Sequence, residues 1–148
     1  KFDKIEPDNT GALRVVDYKT GAPDNHVKAI QTCKDLSRRE CDDYYRQLVA
    51  YKLVFDKSKR ASHNKAILTK GKLQFLEPAS KTVKKYGLNK GEYKDIELDL
   101  NDEMVRDLEK VIEESWKNIQ SLNFEKLPER DTKEACKRCD FDIICWGS

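Results

Sequence analysis

Seven residues, Leu13 to Lys19 (LRVVDYK), constrain this chain more than any other stretch. Val15 and Val16 are stiff, branched side chains that suit the pleated surface of a strand. The strand then interrupts itself with Asp17 and, two residues later, Lys19. Alternation puts both on one face of the sheet. Charges on a core strand are costly unless they are paired or used. Asp-x-Lys therefore marks either a chemical site or an ion pair on an exposed sheet face, and spacing alone leaves both open.

The surrounding pattern is mixed α/β. Phe2 to Glu6 reads as a short strand, followed by a turn at Pro7-Asp8-Asn9-Thr10-Gly11, so that 2–6 and 13–19 form a hairpin. Residues 20–24 end it, and 24–40 are polar and irregular with at most a short helical turn. Asp42 to Asp56 is a helix by its 3.6-residue apolar period, with Asp42 or Asp43 placed to cap it. Lys65 to Thr69 and Lys72 to Leu76, separated by Lys70-Gly71, read as a second hairpin. Tyr93 to Leu100 alternates as one more strand. Asn101 then caps a long amphipathic helix to about Leu122, with Met104, Leu108, Val111, Ile112, Trp116, Ile119 and Leu122 on one stripe. Pro128 breaks the chain, and a cysteine-bearing tail (128–148) closes it. The order β-β-α-β-β-β-α is not a repeated βαβ wind. At 148 residues the chain is expected to form a single domain. It opens at Lys1 directly in strand-like sequence, which reads as a piece of a longer protein.

Charge separates the segments without deciding a partner. Residues 1–51 carry nine basic and nine acidic side chains, 52–94 twelve and three, and 95–148 eight and fifteen. A basic middle (Lys57, Lys59, Arg60, Lys65, Lys70, Lys72, Lys81, Lys84, Lys85) suits a phosphate backbone. It suits a solvated lysine-rich face at least as well. No apolar run reaches the roughly 20 residues of a membrane span and no signal peptide opens the chain, so no membrane partner is expected. Five cysteines without a secretory signal point to a reducing, cytoplasmic setting in which clustered thiols bind metal rather than pair.

The carboxylates carry the chemistry. Hydrolysing a phosphodiester at neutral pH calls for hard cations, and carboxylate oxygens are the natural ligands for Mg²⁺ or Mn²⁺. Asp3 and Asp17 on the first hairpin, with Lys19 beside them, bring two carboxylates and an ammonium into one small region. Gln47 and Tyr51 stand at i and i+4 on one helical face, a spacing that by itself reads more readily as a surface residue and a core tyrosine.

Val15-Val16-Asp17-Tyr18-Lys19-Thr20-Gly21 resembles the VVDYKTG signature of RecB-type nucleases, a branch of the PD-(D/E)XK superfamily. Phe2-Asp3-Lys4-Ile5-Glu6 is similar to that family's preceding G-x-x-D-R-I-D element. Gln47 to Tyr51 matches its Q-x-x-x-Y motif on a helix. Cys136-x-x-Cys139 followed by Cys145 resembles the terminal cysteine triplet of the iron–sulfur members, as in AddB-type helicase-nucleases. The resemblance implies a restriction-endonuclease-like core, a central mixed sheet flanked by helices. It implies metal-dependent cleavage of DNA, single strands above all, as an exonuclease in DNA repair and recombination, working with a helicase domain or subunit. Asp3 and Asp17 would bind Mg²⁺ or Mn²⁺ together with the Tyr18 carbonyl. Lys19 would orient the attacking water and stabilise the developing charge, and Gln47 and Tyr51 would hold Lys19 and the strand. Cys136, Cys139 and Cys145 would supply three ligands to a 4Fe-4S cluster, with the fourth outside this sequence.

The chain departs from the family at the metal site. The upstream helix that usually adds a His or Glu to the metal site is missing, which implies weaker metal binding. Neither His26 nor His63 falls at that position, so both are expected on the surface. Cys33 and Cys41 are expected as ordinary thiols in a loop and at a helix start, and 71–100 as a variable insertion or sheet extension. Two other readings stand beside the nuclease: a non-cleaving DNA-binding or scaffold module, and a stand-alone CRISPR-type adaptation exonuclease.

Overall fold

A computed structural model of the chain describes residues 2–33, 35–37, 41–58, 66–126, 128–131 and 135–147. They fall into two compact units, Lys1–Ile112 and Glu113–Ser148.

The first unit is built on a four-stranded mixed sheet: β1 (Lys4–Pro7), β2 (Leu13–Lys19), β3 (Leu68–Phe75) and β4 (Ile96–Asp99), in that spatial order. β1 and β2 form the expected antiparallel hairpin, with Lys4 opposite Val16. β2 and β3 are parallel, so the chain must cross over between them, and it does so through helices α1 (Val27–Thr32) and α2 (Asp43–Asp56). β4 returns antiparallel to β3. α3 (Asp102–Gln120) follows, its start capped by Asn101 Oδ1, which accepts from Met104 N at 2.9 Å. This is the α/β, restriction-endonuclease-like arrangement of a mixed sheet flanked by helices.

Helix α2 forms where its apolar period predicts. Asp42 caps it, Oδ1 accepting from Tyr44 N at 2.8 Å. Tyr45, Leu48, Val49, Lys52 and Phe55 are its buried residues and pack it on the sheet. Burying a leucine such as Leu48, which is 0% exposed, contributes about 2 kcal/mol. Lys52 is the polar member of this stripe. Its ammonium is buried but satisfied, donating to the Leu68 carbonyl at 3.2 Å and pairing with Asp56 and Asp102.

The second hairpin expected at 65–76 does not form. Lys65 lies outside the described residues, and 68–75 run as one strand straight through Lys70-Gly71. Gly71 is there for a close approach, not a turn: a Cβ on it would sit 3.0 Å from two Leu48 carbons. A register shift between Leu13 and Arg14 leaves Thr69 as an extra residue on β3. That extra residue allows Leu68 and Gly71, three apart, both to be buried. Residues 71–75 therefore belong to the central sheet, and only 96–99 of the supposed extension adds a strand.

One sheet face carries a ladder of ion pairs that absorbs much of the basic middle. Arg14 bridges Glu6 and Glu97, Lys70 pairs with Glu97, and Lys72 with Asp95. Lys4 and Arg14 beside Glu6 hold its carboxyl down at about 2. Lys57 pairs with Glu109, and Lys81 lies 3.8 Å from Asp24. Lys59, Arg60, Lys65 and His63 lie outside the described residues.

Cys33 and Cys41 form a disulfide, correcting their reading as ordinary thiols. The loop after α1 brings their Cα atoms to 4.8 Å, within bridging range. With two of the five cysteines paired, cysteine usage gives no ground for a reducing, cytoplasmic setting. Among the described residues no helix is long and apolar enough to cross a membrane.

The second unit holds the later turns of α3 and the tail. Helix α3 stops at Gln120, short of Leu122, which adopts a left-handed backbone (φ 54°). Trp116 and Ile119, expected on a buried stripe, are more than half exposed, whereas Val105 and Leu108 near the helix start are buried. In the tail, Cys136 and Cys139 share a tight turn and α4 (Asp142–Trp146) closes the unit; Arg130 pairs with Asp142, and Lys126 lies 4.0 Å from the centre of the Trp146 ring.

Candidate active site

The candidate residues meet where the end of β2 faces α2. Val15, Asp17 and Lys19 alternate onto the face that α2 covers. Beside the buried stripe of α2 runs a second one, Tyr44, Gln47 and Tyr51, at i, i+3 and i+7. The buried stripe sets the rotation of the helix, and that rotation aims the second stripe at Asp17 and Lys19.

The result is a closed network. The Tyr51 hydroxyl donates to Asp17 Oδ1 at 2.8 Å, and Gln47 Nε2 donates to Tyr51 Oη at 2.8 Å and to Asp17 Oδ1 at 3.3 Å. Lys19 Nζ donates to Gln47 Oε1 at 2.6 Å and stands 2.5 Å from Asp17 Oδ2. The last contact is an ion pair without hydrogen-bond alignment. Among the described residues no aligned donor reaches that buried oxygen. Asp17 is 3% exposed. The Asp-x-Lys pair is thus a buried one, not an ordinary pair on an open face. Lys19 Nζ also lies 3.9 Å from the centre of the Tyr44 ring.

Burial and the neighbouring Asp17 carboxylate push the Tyr51 phenol up to about 12. It stays a donor through the neutral range. An unfolded tyrosine ionises near pH 10, so the phenol's contribution to stability is complete below about pH 10 and lost as pH rises from there towards 12. Tyr51→Phe should lower stability by about 1–3 kcal/mol at pH 7, the cost of leaving a buried carboxylate oxygen short of a donor. The gap between wild type and variant in urea unfolding should narrow between pH 10 and 12. A gap unchanged over that range would show that Tyr51 does not donate to Asp17.

Asp3 precedes β1 by one residue, and extending the hairpin register places it opposite Asp17. Its Oδ2 accepts from Tyr18 N at 3.1 Å, which holds an exposed second carboxylate against the Asp17–Tyr18 backbone. Tyr18 itself is 42% exposed.

His26 is not a free surface residue. Nδ1 lies 2.8 Å from Asp42 Oδ2, and its ring stands 4.4 Å from that of Tyr44 and 5.9 Å from that of Phe75. Tyr44 was not singled out in the sequence, although its spacing from Gln47 and Tyr51 puts it on the same helical face. His26 carried no local signal, because the contact depends on the crossover.

A family model, the PD-(D/E)XK nuclease superfamily, matches residues 1–146. The chain belongs to the PD-(D/E)XK nuclease superfamily. No curated protein and no solved structure matches it.

Members of this superfamily typically use divalent metals, and the hairpin suits one. Two carboxylates and a backbone carbonyl are hard oxygen donors, and Asp17 Oδ2 is a buried oxygen with no aligned donor. Among the described residues, however, no three His, Cys, Asp or Glu side chains converge as a metal site. Any cation held here would need the Tyr18 carbonyl or water besides Asp3 and Asp17.

Among the described residues the cysteines do not converge on an iron–sulfur site. Of the five in the chain, Cys33 and Cys41 are consumed in a disulfide. Cys136 is buried, Cys139 exposed and Cys145 intermediate.

Proposed function

We propose that this chain is a divalent-metal-dependent deoxyribonuclease of the RecB type, acting on single strands as an exonuclease in repair or recombination with a helicase domain or subunit as its partner. The observation that carries the reading is the bridge made by Lys19 between Asp17 and Gln47. A lysine so placed lies against a carboxylate and is aimed by an amide that is itself held by Tyr51. The VVDYKTG run and the family match support DNA phosphodiesters as the substrate.

Asp3, Asp17 and the Tyr18 carbonyl would hold Mg²⁺ or Mn²⁺. A bound cation of this kind neutralises phosphate charge and lowers the pKa of bound water. The protein's own groups do the rest. Lys19 donates to the attacking water or a phosphate oxygen once substrate displaces part of its ion pair. Gln47 Oε1 gives the ammonium a second anchor beside Asp17. Tyr51 holds Asp17 Oδ1, so Oδ2, which pairs with Lys19, is the oxygen a cation would take as that pair opens.

The test is cleavage of end-labelled single- and double-stranded DNA by the full chain with Mg²⁺, with Mn²⁺, and with EDTA. Product that requires either cation, and forms faster on single strands, is the expected result. A folded protein that binds DNA but makes no product with either cation would leave the non-cleaving module as the better account.

A further inference from the structure

We propose that Tyr44 is a positioning residue for Lys19, its ring face serving as the third support of the ammonium and His26 fixing that ring in place. The inference deepens the nuclease reading and rests on it for its consequence in catalysis.

An ammonium has three N–H donors. Around Lys19 Nζ stand Asp17 Oδ2 at 2.5 Å, Gln47 Oε1 at 2.6 Å and the Tyr44 ring at 3.9 Å. The two oxygens hold the charge within the network. The ring closes the remaining side with a surface that attracts a cation without demanding a particular hydrogen-bond direction. That matters for a lysine that must let go of a carboxylate when substrate arrives. A ring face keeps the charge near while it shifts, whereas a third oxygen would lock it.

The ring's own position is built. Asp42 uses one carboxylate oxygen to cap α2 through Tyr44 N and the other to hold His26 Nδ1, both at 2.8 Å. His26 packs against both the Tyr44 and the Phe75 rings. Phe75 is the register partner of Lys19 on the neighbouring strand and is 3% exposed. The stack thus starts from the backbone position beside Lys19 and returns to its ammonium. The disulfide ends at Cys41, next to Asp42, and ties down the start of the same helix.

The test separates a π face from mere bulk. Tyr44→Phe keeps the face, Tyr44→Leu removes it, and phenylalanines of increasing ring fluorination at position 44 weaken the face at nearly constant shape. Expected are wild-type turnover for Phe, a stepwise fall in kcat along the fluorinated series, and a loss of about tenfold for Leu, with KM changed less than twofold. Equal kcat across the fluorinated series would overturn the proposal, as would a loss for Phe equal to that for Leu. An independent readout covers the case of a protein that does not cut: the Lys19 side-chain protons, assigned by their disappearance in Lys19→Met, should show an upfield ring-current shift in NMR that Tyr44→Leu abolishes. Absence of that shift overturns the proposal whether or not DNA is cleaved, whereas a present shift with no cleavage by wild type overturns only the nuclease reading.

Discussion

Lys19→Met is expected to abolish most of the proposed DNA cleavage, lowering kcat on the order of 10²–10³-fold, the size of effect seen when one aimed charge-stabilising donor is removed. Methionine keeps the length of the stem and removes the charge. The same change strands Asp17, which is 3% exposed and loses its ion-pair partner. Stability should therefore fall as well, by about 3 kcal/mol. The two effects separate when cleavage is assayed at temperatures where urea melts show Lys19→Met to be fully folded. Adding Asp17→Asn should restore much of the lost stability, but it also removes a proposed cation ligand and so reports on the fold alone. Wild-type cleavage by folded Lys19→Met would mean that Lys19 only holds the fold, and the catalytic role assigned to it would have to be withdrawn.

Gly71→Val should destabilise the protein by about 3 kcal/mol and misalign the site with it. A Cβ at 71 would meet both Leu48 methyl carbons at 3.0 Å and Leu48 Cβ at 3.1 Å. In a loose core the methyls would rotate aside, but Leu48 is 0% exposed and its Cβ moves only with the backbone of α2. Relief thus requires the helix to lift from β3. Gln47 is the neighbouring residue on that helix, and Tyr51 lies one turn on. Lifting the helix lengthens the 2.8 Å Tyr51–Asp17 and 2.6 Å Lys19–Gln47 contacts. Glycine's extra freedom in the unfolded chain offsets at most about 1 kcal/mol. Gly71→Ala should fall between wild type and valine. Guanidinium melts and cleavage rates for the three proteins form one series, and an alanine variant as stable as wild type would show that the helix yields more easily than its packing implies.

Much of this molecule was open to inspection in the chain alone. LRVVDYK is a strand because branched residues alternate there, and 13–19 is where β2 lies. The cap and period of 42–56 needed nothing beyond local chemistry, and Asp42 caps the helix as its position predicts. Asp17, Lys19, Gln47 and Tyr51 were found by motif and do lie in one network. What misled was also local. Lys70-Gly71 looks like a turn because glycine followed by alternating residues is how many turns look. In the fold, that glycine is needed by Leu48, twenty-three residues earlier. His26 looked idle because its partners, Tyr44, Asp42 and Phe75, are assembled only by the crossover.

Local sequence by itself determined the strands of the hairpin, the cap and period of α2, and the residue types of the site, because propensity, alternation and capping act over a few residues. Tertiary structure alone decided that β3 runs parallel to β2, that Gly71 is a contact and not a turn, that Cys33 and Cys41 pair, and that Tyr44 and His26 stand behind Lys19. Those outcomes depend on residues far apart in the chain being brought within a few ångströms, and only close packing sets such distances.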